Sequence, residues 1–197
     1  MKALVIYCHP NPDSFTSAVK DLVLEVLEEK GFNTRLTDLY GEQFNPLIHK
    51  EELESYLDIT CNQKGLENHI GNIMWCDTLI FVYPTWWYGL PAMLKGWLDR
   101  CFIPGVAFHM PEGEGTIKPG LKHITRLGLF TTAGATPLVT FLMGAPGKRT
   151  ILRAVNSLCK WPVKKVFLAH YEMDSSTDKS RKLHLERVRV KMQRFLS

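Results

Sequence analysis

Residues Thr78-Leu79-Ile80-Phe81-Val82-Tyr83 form an apolar run with no alternation between polar and apolar positions. A strand covered on one face alternates; one that is apolar throughout is covered on both, as a parallel strand inside an α/β sheet is. Pro84 cannot continue the ladder, so Thr85-Trp86-Trp87-Tyr88-Gly89 falls on the loop at the strand's carboxyl end. In open α/β sheets that is where ligands bind. Three adjacent aromatics there suit a flat partner, and the competing account is that they pack beneath the loop.

The rest of the chain alternates short apolar runs with helical patterns, the signature of βαβ units. Strand one is Ala3 to Cys8 and strand two Asn33 to Asp38. The first helix runs from about Thr16 to Lys30, with Val19, Leu22, Val23, Val26 and Leu27 on one face and Gly31 as its stop. Residues 41–65 read as irregular, with one short helix near Glu51–Leu57. A helix over Leu66–Cys76 leads into strand three, Thr78–Tyr83. Pro91 then opens a helix through Met93, Leu94, Trp97 and Leu98. Residues 102–120, with glycines at 105, 113, 115 and 120, read as an excursion. Strand four is about His123 to Thr131, strand five Val163 to Ala169, and a last helix occupies roughly Thr177–Phe195. Five strands with helical crossovers predict a flavodoxin-like three-layer α/β/α sandwich with a parallel sheet of order 2-1-3-4-5. Without repeats, low-complexity tracts or a linker, residues 1–197 read as one domain.

At 197 residues and 45% apolar the chain can bury a sizeable core. Its net charge of +4 neither demands nor excludes an anionic partner. Cys8, Cys61, Cys76, Cys101 and Cys159 are odd in number and form no C-x-x-C pair, which reads as reduced thiols in a cytoplasmic setting. The apolar start is broken at His9-Pro10 before it reaches signal-peptide length, and no stretch approaches the ~18 apolar residues of a membrane span. Stable membrane insertion is therefore not expected.

If the sheet is doubly wound, the ends of strands one, three and four meet at one crevice. The first loop, Cys8-His9-Pro10-Asn11-Pro12-Asp13-Ser14-Phe15-Thr16, ends in good helix N-cap types. N–H groups at a helix start favour a phosphate, and His9 can add a hydrogen bond or a charge. An ordinary cap is the plain alternative, and Asp13 opposes a phosphate unless it points away. The loop after strand four, Thr131-Thr132-Ala133-Gly134-Ala135-Thr136-Pro137, lets a ligand approach the backbone and offers donors and acceptors. It suits the polar edge of a flavin, or it is a turn before a helix.

Other motifs fall away. Gly144-Ala145-Pro146-Gly147-Lys148-Arg149-Thr150 lacks the first glycine and the Ser/Thr of a P-loop, and reads as a loop capped by basic residues; Lys148 and Arg149 remain candidates for a cofactor phosphate. Cys8 is followed by Ser14 where a phosphatase loop needs Arg. There is no G-x-S-x-G elbow, no G-x-G-x-x-G fingerprint and no metal-ligand spacing. The cations of the last helix read as a solvated face, with no nucleic-acid partner.

Together, His9, Ser14-Phe15, Asp38-Leu39-Tyr40, Phe44-Asn45-Pro46, Pro84-x-x-Trp87-Tyr88-Gly89-x-Pro91-Ala92-x-Leu94-Lys95-Gly96-Trp97 and Thr131-Thr132-x-Gly134 resemble the NAD(P)H:quinone oxidoreductase (DT-diaphorase-like) family. The resemblance is specific over residues 3–135. It implies a homodimer with a flavin site at each end of its interface, the flavin being FAD, or alternatively FMN, and NAD(P)H the co-substrate. By position, it puts His9, Ser14, Phe15 and Thr16 at the flavin phosphates and ribityl chain. Thr85, Trp86, Trp87 and Tyr88 would lie along the isoalloxazine, and Thr131, Thr132, Ala133 and Gly134 at its pyrimidine side. Trp87 and Tyr88 would meet the acceptor, with Phe108 as a wall of the partner subunit's pocket.

The implied activity is hydride transfer through flavin N5 to quinones or similar electrophiles, by a ping-pong mechanism. The chain departs from the family in Leu138–Gly147, which lacks the Tyr and His found there in the best-known eukaryotic members; Phe141 and Ala145 stand nearest. A second reading is a flavin-binding regulatory subunit of a membrane transporter, of the potassium-efflux ancillary type. A single-electron carrier is disfavoured by the basic charge balance.

Overall fold

The computed structural model describes residues 1–111 and 113–197. Five parallel strands make the central sheet: β1 (Lys2–Tyr7), β2 (Asn33–Asp38), β3 (Thr78–Pro84), β6 (Arg126–Thr132) and β7 (Lys164–His170). Their order is β2-β1-β3-β6-β7, the doubly wound order expected from the sequence. A hairpin of β4 (Phe108–His109) and β5 (Lys118–Pro119), formed within the excursion, stands apart from it. Glu112, inside that excursion, lies outside the described residues.

All seven residues of β3 are buried, as its unbroken apolar run requires. It is the middle strand, pairing with β1 from Ala3↔Thr78 and with β6 through to Pro84↔Thr132. One face packs under α1 (Phe15–Glu29) and α8 (Asp178–Leu196), burying Val5, Val23, Ile80, Phe130, Val188 and Met192. The other packs under α3 (Glu67–Trp75), α4 (Ala92–Cys101) and the segment before β7, around Leu4, Ile73, Phe81, Trp97 and Ile151. The short α2 (Lys50–Glu54) lies within the irregular stretch after β2. α4 comes so close to the Phe44-Asn45-Pro46 loop that a Cβ on Gly96 would sit 2.2 Å from the Pro46 carbonyl oxygen.

Two segments differ from expectation. Strand four begins at Arg126 rather than His123, because the chain first makes a turn in which the Ile124 N–H donates to the Leu121 carbonyl at 3.0 Å. The stretch read as a basic loop is largely helical. After α5 (Pro137–Leu142), Pro146 opens α6 (Pro146–Arg149), which runs through a π-helical stretch, Thr150–Val155, into α7 (Asn156–Leu158). Pro146 sits at the first helical position, where its missing N–H costs nothing. The glycines around it disguised the crossover.

Candidate functional site

The ends of β1, β3 and β6 meet at one crevice, and short hydrogen bonds fasten the loops that leave them. The Thr85 N–H donates to the Thr132 carbonyl at 2.6 Å. The Thr85 and Thr131 hydroxyls lie 2.9 Å apart, and those of Thr16 and Thr132 3.2 Å apart. These contacts bring Thr16, Thr85, Thr131 and Thr132 together across three loops.

On the first loop the Ser14 Oγ accepts the Ser17 N–H at 3.1 Å as the N-cap of α1. The Phe15 and Thr16 N–H groups, at the helix start, have no carbonyl one turn back to bond. The His9 Nδ1 lies 3.0 Å from the Asn11 N and 3.1 Å from the Asn11 carbonyl oxygen, accepting from the first in one tautomer and donating to the second in the other. Burial holds the His9 pKa below its ordinary value, which favours the neutral ring over the cation. Asp13 is exposed, its N–H held by the Asn11 side chain at 2.8 Å. The Phe15 ring packs edge-on against His170, the last residue of β7 beside Thr132, at 5.2 Å and against His184 at 5.8 Å.

The aromatic loop is a tight turn. The Gly89 N–H donates to the Trp86 carbonyl at 3.0 Å, and the two central residues have positive φ, 48° at Trp87 and 62° at Tyr88. That is the type I′ geometry, which favours Asn and Gly and which bulky aromatics rarely adopt. The strain holds Trp87 out, 94% exposed, while Trp86 is 42% exposed with its ring 6.1 Å from that of His9. Behind the turn, α6 approaches so closely that a Cβ on Gly147 would lie 3.2 Å from Gly89 and 3.3 Å from the Tyr83 hydroxyl.

Beyond β6 the Ala133 N–H donates to the His170 carbonyl and the Thr131–Thr132 backbone is in the ladder, leaving the Gly134 and Ala135 N–H groups with no recorded acceptor among the described residues. Thr85, Trp87, Tyr88, Gly134, Thr140 and Asp174 line an open cleft of about 320 Å³. The Thr140 hydroxyl in its wall is buried with no hydrogen-bond partner. Thr140 and Asp174 had no signal in the sequence: the first sits in α5, the second in the turn after β7.

Phe108 does not reach this cleft; it lies half-buried in β4 against the core. Lys148 stands over the Phe167 ring at 4.3 Å, beside a small chamber behind Tyr88 and away from the first loop. Burial raises the Cys8 thiol pKa to about 12, far from a nucleophile's. Among the described residues no three His, Cys, Asp or Glu side chains gather as a metal site, and no helix is long and apolar enough to cross a membrane.

The donor set fits a flavin. A helix start with free N–H groups and a nearby His ring suits phosphate, an aromatic turn suits the ring, and two unengaged N–H groups with an orphaned hydroxyl suit its polar edge.

Comparison with known proteins bears on this geometry. A family model described as Flavodoxin-like fold matches residues 1–192. A Haemophilus influenzae protein named an uncharacterized NAD(P)H oxidoreductase is 35% identical over 136 residues, 68% of this chain and 65% of that one. The ribosyldihydronicotinamide dehydrogenase [quinone] of Rattus norvegicus is 32% identical over 159 residues, 71% of this chain and 66% of its own. The matched stretch thus spans just under two thirds of either relative. Among solved structures, an NAD(P)H:quinone oxidoreductase from Methanothermobacter marburgensis superposes with a TM-score of 0.78 at 25% identity, covering 98% of this chain and 96% of that one. The resemblance read from the motifs is thereby borne out.

Proposed function

This chain belongs to the flavodoxin-like family, and from that premise we propose that it is a flavin-dependent NAD(P)H oxidoreductase acting on quinones or similar electrophiles. The observation that carries the reading is the strained turn, which holds Trp87 and Tyr88 out beside the unengaged Gly134 and Ala135 N–H groups. Backbone strain of this kind costs about 1–3 kcal/mol per residue and persists where function requires it.

When bound, the flavin supplies the capacity to take hydride at N5 from NAD(P)H and pass it to the acceptor. The protein's work is placement. The Phe15 and Thr16 N–H groups and the His9 ring would hold the phosphate end. The four threonines fix the spacing between the phosphate loop and the ring loops. Trp87 and Tyr88 would cover the ring and exclude water, and the Gly134 and Ala135 N–H groups would stabilise negative charge at its pyrimidine side. No Tyr or His occupies 138–147, so that stretch would supply no proton donor to the acceptor.

The reading takes residues 1–197 as one flavin-binding domain, FAD as the cofactor, the cytoplasm as its place and a homodimer as the working unit. Support for the dimer comes from α5, where Leu138, Phe141 and Leu142 all stand in water, Phe141 at 72% exposure. A second copy would cover this shoulder and bring Phe108 to its partner's pocket.

The test is the visible spectrum of the purified protein, followed by anaerobic addition of NADPH and identification of the released flavin. A yellow protein that bleaches and recovers on adding a quinone, with parallel double-reciprocal lines, supports the proposal. A protein that takes up neither FAD nor FMN overturns it.

A further inference from the structure

Away from the candidate site, the most exposed aromatic side chain among the described residues is Trp161, which stands 82% in water just before β7. The segment that carries it is pinned rather than frayed. The Lys160 N–H donates to the Ile124 carbonyl at 3.1 Å, and the Lys164 N–H to the Thr125 carbonyl at 3.0 Å. The indole is therefore held out at the amino end of the sheet, with Lys160, Lys164 and Lys165 exposed around it in the chain. β7 is an edge strand, so nothing of the sheet lies beyond it.

α8 adds to the same edge. Its His184 meets Phe15 at the start of α1, and its Arg189 pairs with Glu25 and Glu29 near the end of α1, so its carboxyl end also lies at the amino end of the sheet. Leu183, Arg187, Val190, Lys191 and Arg194 recur on its outer face at helical spacing. Leu183 and Val190, with Leu168 of β7, line an open apolar trough of about 300 Å³ together with Glu186, Arg187 and Lys191. Among the described residues none of Lys160, Lys164, Lys165, Arg187, Lys191 and Arg194 is in an ion pair, whereas Arg181 and Arg189 of the same helix are held by Asp178, Glu25 and Glu29. Six free cations against the one carboxylate of Glu186 exceed the net charge of +4 of the whole chain, so the positive charge of the molecule is concentrated on this edge.

We infer that this edge adsorbs to the surface of an anionic lipid bilayer, with Trp161 as its anchor at the headgroup level and the flanking cations on the lipid phosphates. An indole with an apolar body and one N–H is suited to that depth, and lysine and arginine stems lie along apolar surface while their charges reach the headgroups. A second copy is opposed, because a twofold contact would bring the same cations face to face. The protein would lie on the membrane and not in it, since no helix among the described residues is long and apolar enough to cross. The crevice proposed for the flavin opens at the carboxyl end of the sheet, away from Trp161, so adsorption leaves it clear and does not depend on its chemistry.

The test is cosedimentation of the full chain, as purified, with vesicles of equal parts phosphatidylcholine and phosphatidylglycerol, and with vesicles of phosphatidylcholine alone. In low salt the protein should sediment with the first and not the second, with a blue shift of its tryptophan emission, and added salt should release it. Lys160→Gln with Lys164→Gln lowers the partition coefficient by roughly ten- to thirtyfold. Trp161→Ala weakens binding and abolishes the blue shift. Lys50→Gln with Lys64→Gln, which removes two cations from the segment after β2 at the opposite edge of the sheet, leaves binding within about twofold of the wild type. Failure to sediment with the phosphatidylglycerol vesicles overturns the inference, as does an equal loss in the two double variants. Binding to polyglutamate without binding to vesicles would assign the edge to an acidic protein, and a dimer that Trp161→Ala dissociates would assign it to a second copy; either result overturns it. Flavin content is read from visible absorbance on the same samples. A protein that binds vesicles but no flavin counts against the proposed function alone.

Discussion

Replacing Trp87 by Asn should make the flavin-free protein more stable and the flavin complex weaker. Trp87 occupies the first central position of a type I′ turn at φ 48°. For an L residue with a bulky side chain that conformation costs about 1–2 kcal/mol, and Asn adopts it far more readily. The indole contributes little to the folded chain in return. At 94% exposure it buries only a small remainder of its surface; on a side chain of ~250 Å² that is about 15 Å², worth ~0.4 kcal/mol. The balance favours Trp87→Asn by roughly 0.5–1.5 kcal/mol, and for a chain of this size that raises the melting temperature by about 1–5 °C. Loss of the ring from the flavin stack costs about 0.5–1.5 kcal/mol of affinity, or roughly two- to twelvefold in Kd. Scanning calorimetry of the flavin-free proteins and fluorescence titration with FAD measure the two halves. The reasoning fails if the flavin-free variant melts below the wild type, because strain would then not be what the turn stores.

Other expectations follow from the same structure. Trp87→Ala should weaken flavin binding more than Trp86→Ala, since Trp86 leans toward His9 while Trp87 stands free; equal Kd values would mean the loop is oriented otherwise. His184 is buried against His170, and desolvation with that neighbour lowers its pKa to about 4. The unfolded chain binds that proton near pH 6.5, so stability is full above 6.5 and falls as the pH drops toward 4, by about 2–3 kcal/mol at pH 4.5. His170, also lowered, acts with the same sign, and urea midpoints at pH 7 and 4.5 should show a smaller difference in His184→Phe. Gly96→Ala should cost at least ~2 kcal/mol by driving a methyl into Pro46, read as a drop in the urea midpoint. Of the five cysteines only Cys61 is exposed, so a disulfide reagent should titrate one thiol in the native protein and five after unfolding.

The inner strands β1 and β3 were legible because parallel strands buried on both faces leave an unbroken apolar signature, while the more exposed edge strands β2 and β7 were placed by the alternation of strand and helix; all four fall within a residue or so of their expected bounds. The crossover between β6 and β7 was not legible. Gly144, Pro146 and Gly147 read as punctuation, yet Gly147 is there for close approach to Gly89, and Pro146 opens a helix. The hairpin of β4 and β5 is only two residues long on each side and has no periodicity to find. At the site, the loops were legible from their positions, and their internal geometry was not. A turn that wants Asn-Gly gives no sign of itself when it is written Trp-Tyr. Asp174 enters the cleft only through the fold of the segment after β7.

All but one of the strained backbone positions gather in one region. Among the described residues the non-glycine positions with positive φ are Gln43, Trp87, Tyr88, Ala145 and Glu172. Trp87 and Tyr88 form a wall of the cleft, Ala145 lines the chamber behind it, and Glu172 stands two residues before Asp174. The orphaned Thr140 hydroxyl lies in the same wall. Each such feature opposes folding, and an inert scaffold would relieve them at no loss by substitution to Asn, Gly or an apolar residue. Their concentration at the carboxyl end of the sheet means that the stability they withhold is tied to one place. A ligand that stacks on the turn and bonds the orphaned groups would recover part of it. Saturating flavin should therefore raise the melting temperature of the wild type more than that of Trp87→Asn, and equal increments in the two proteins would break the link between strain and binding.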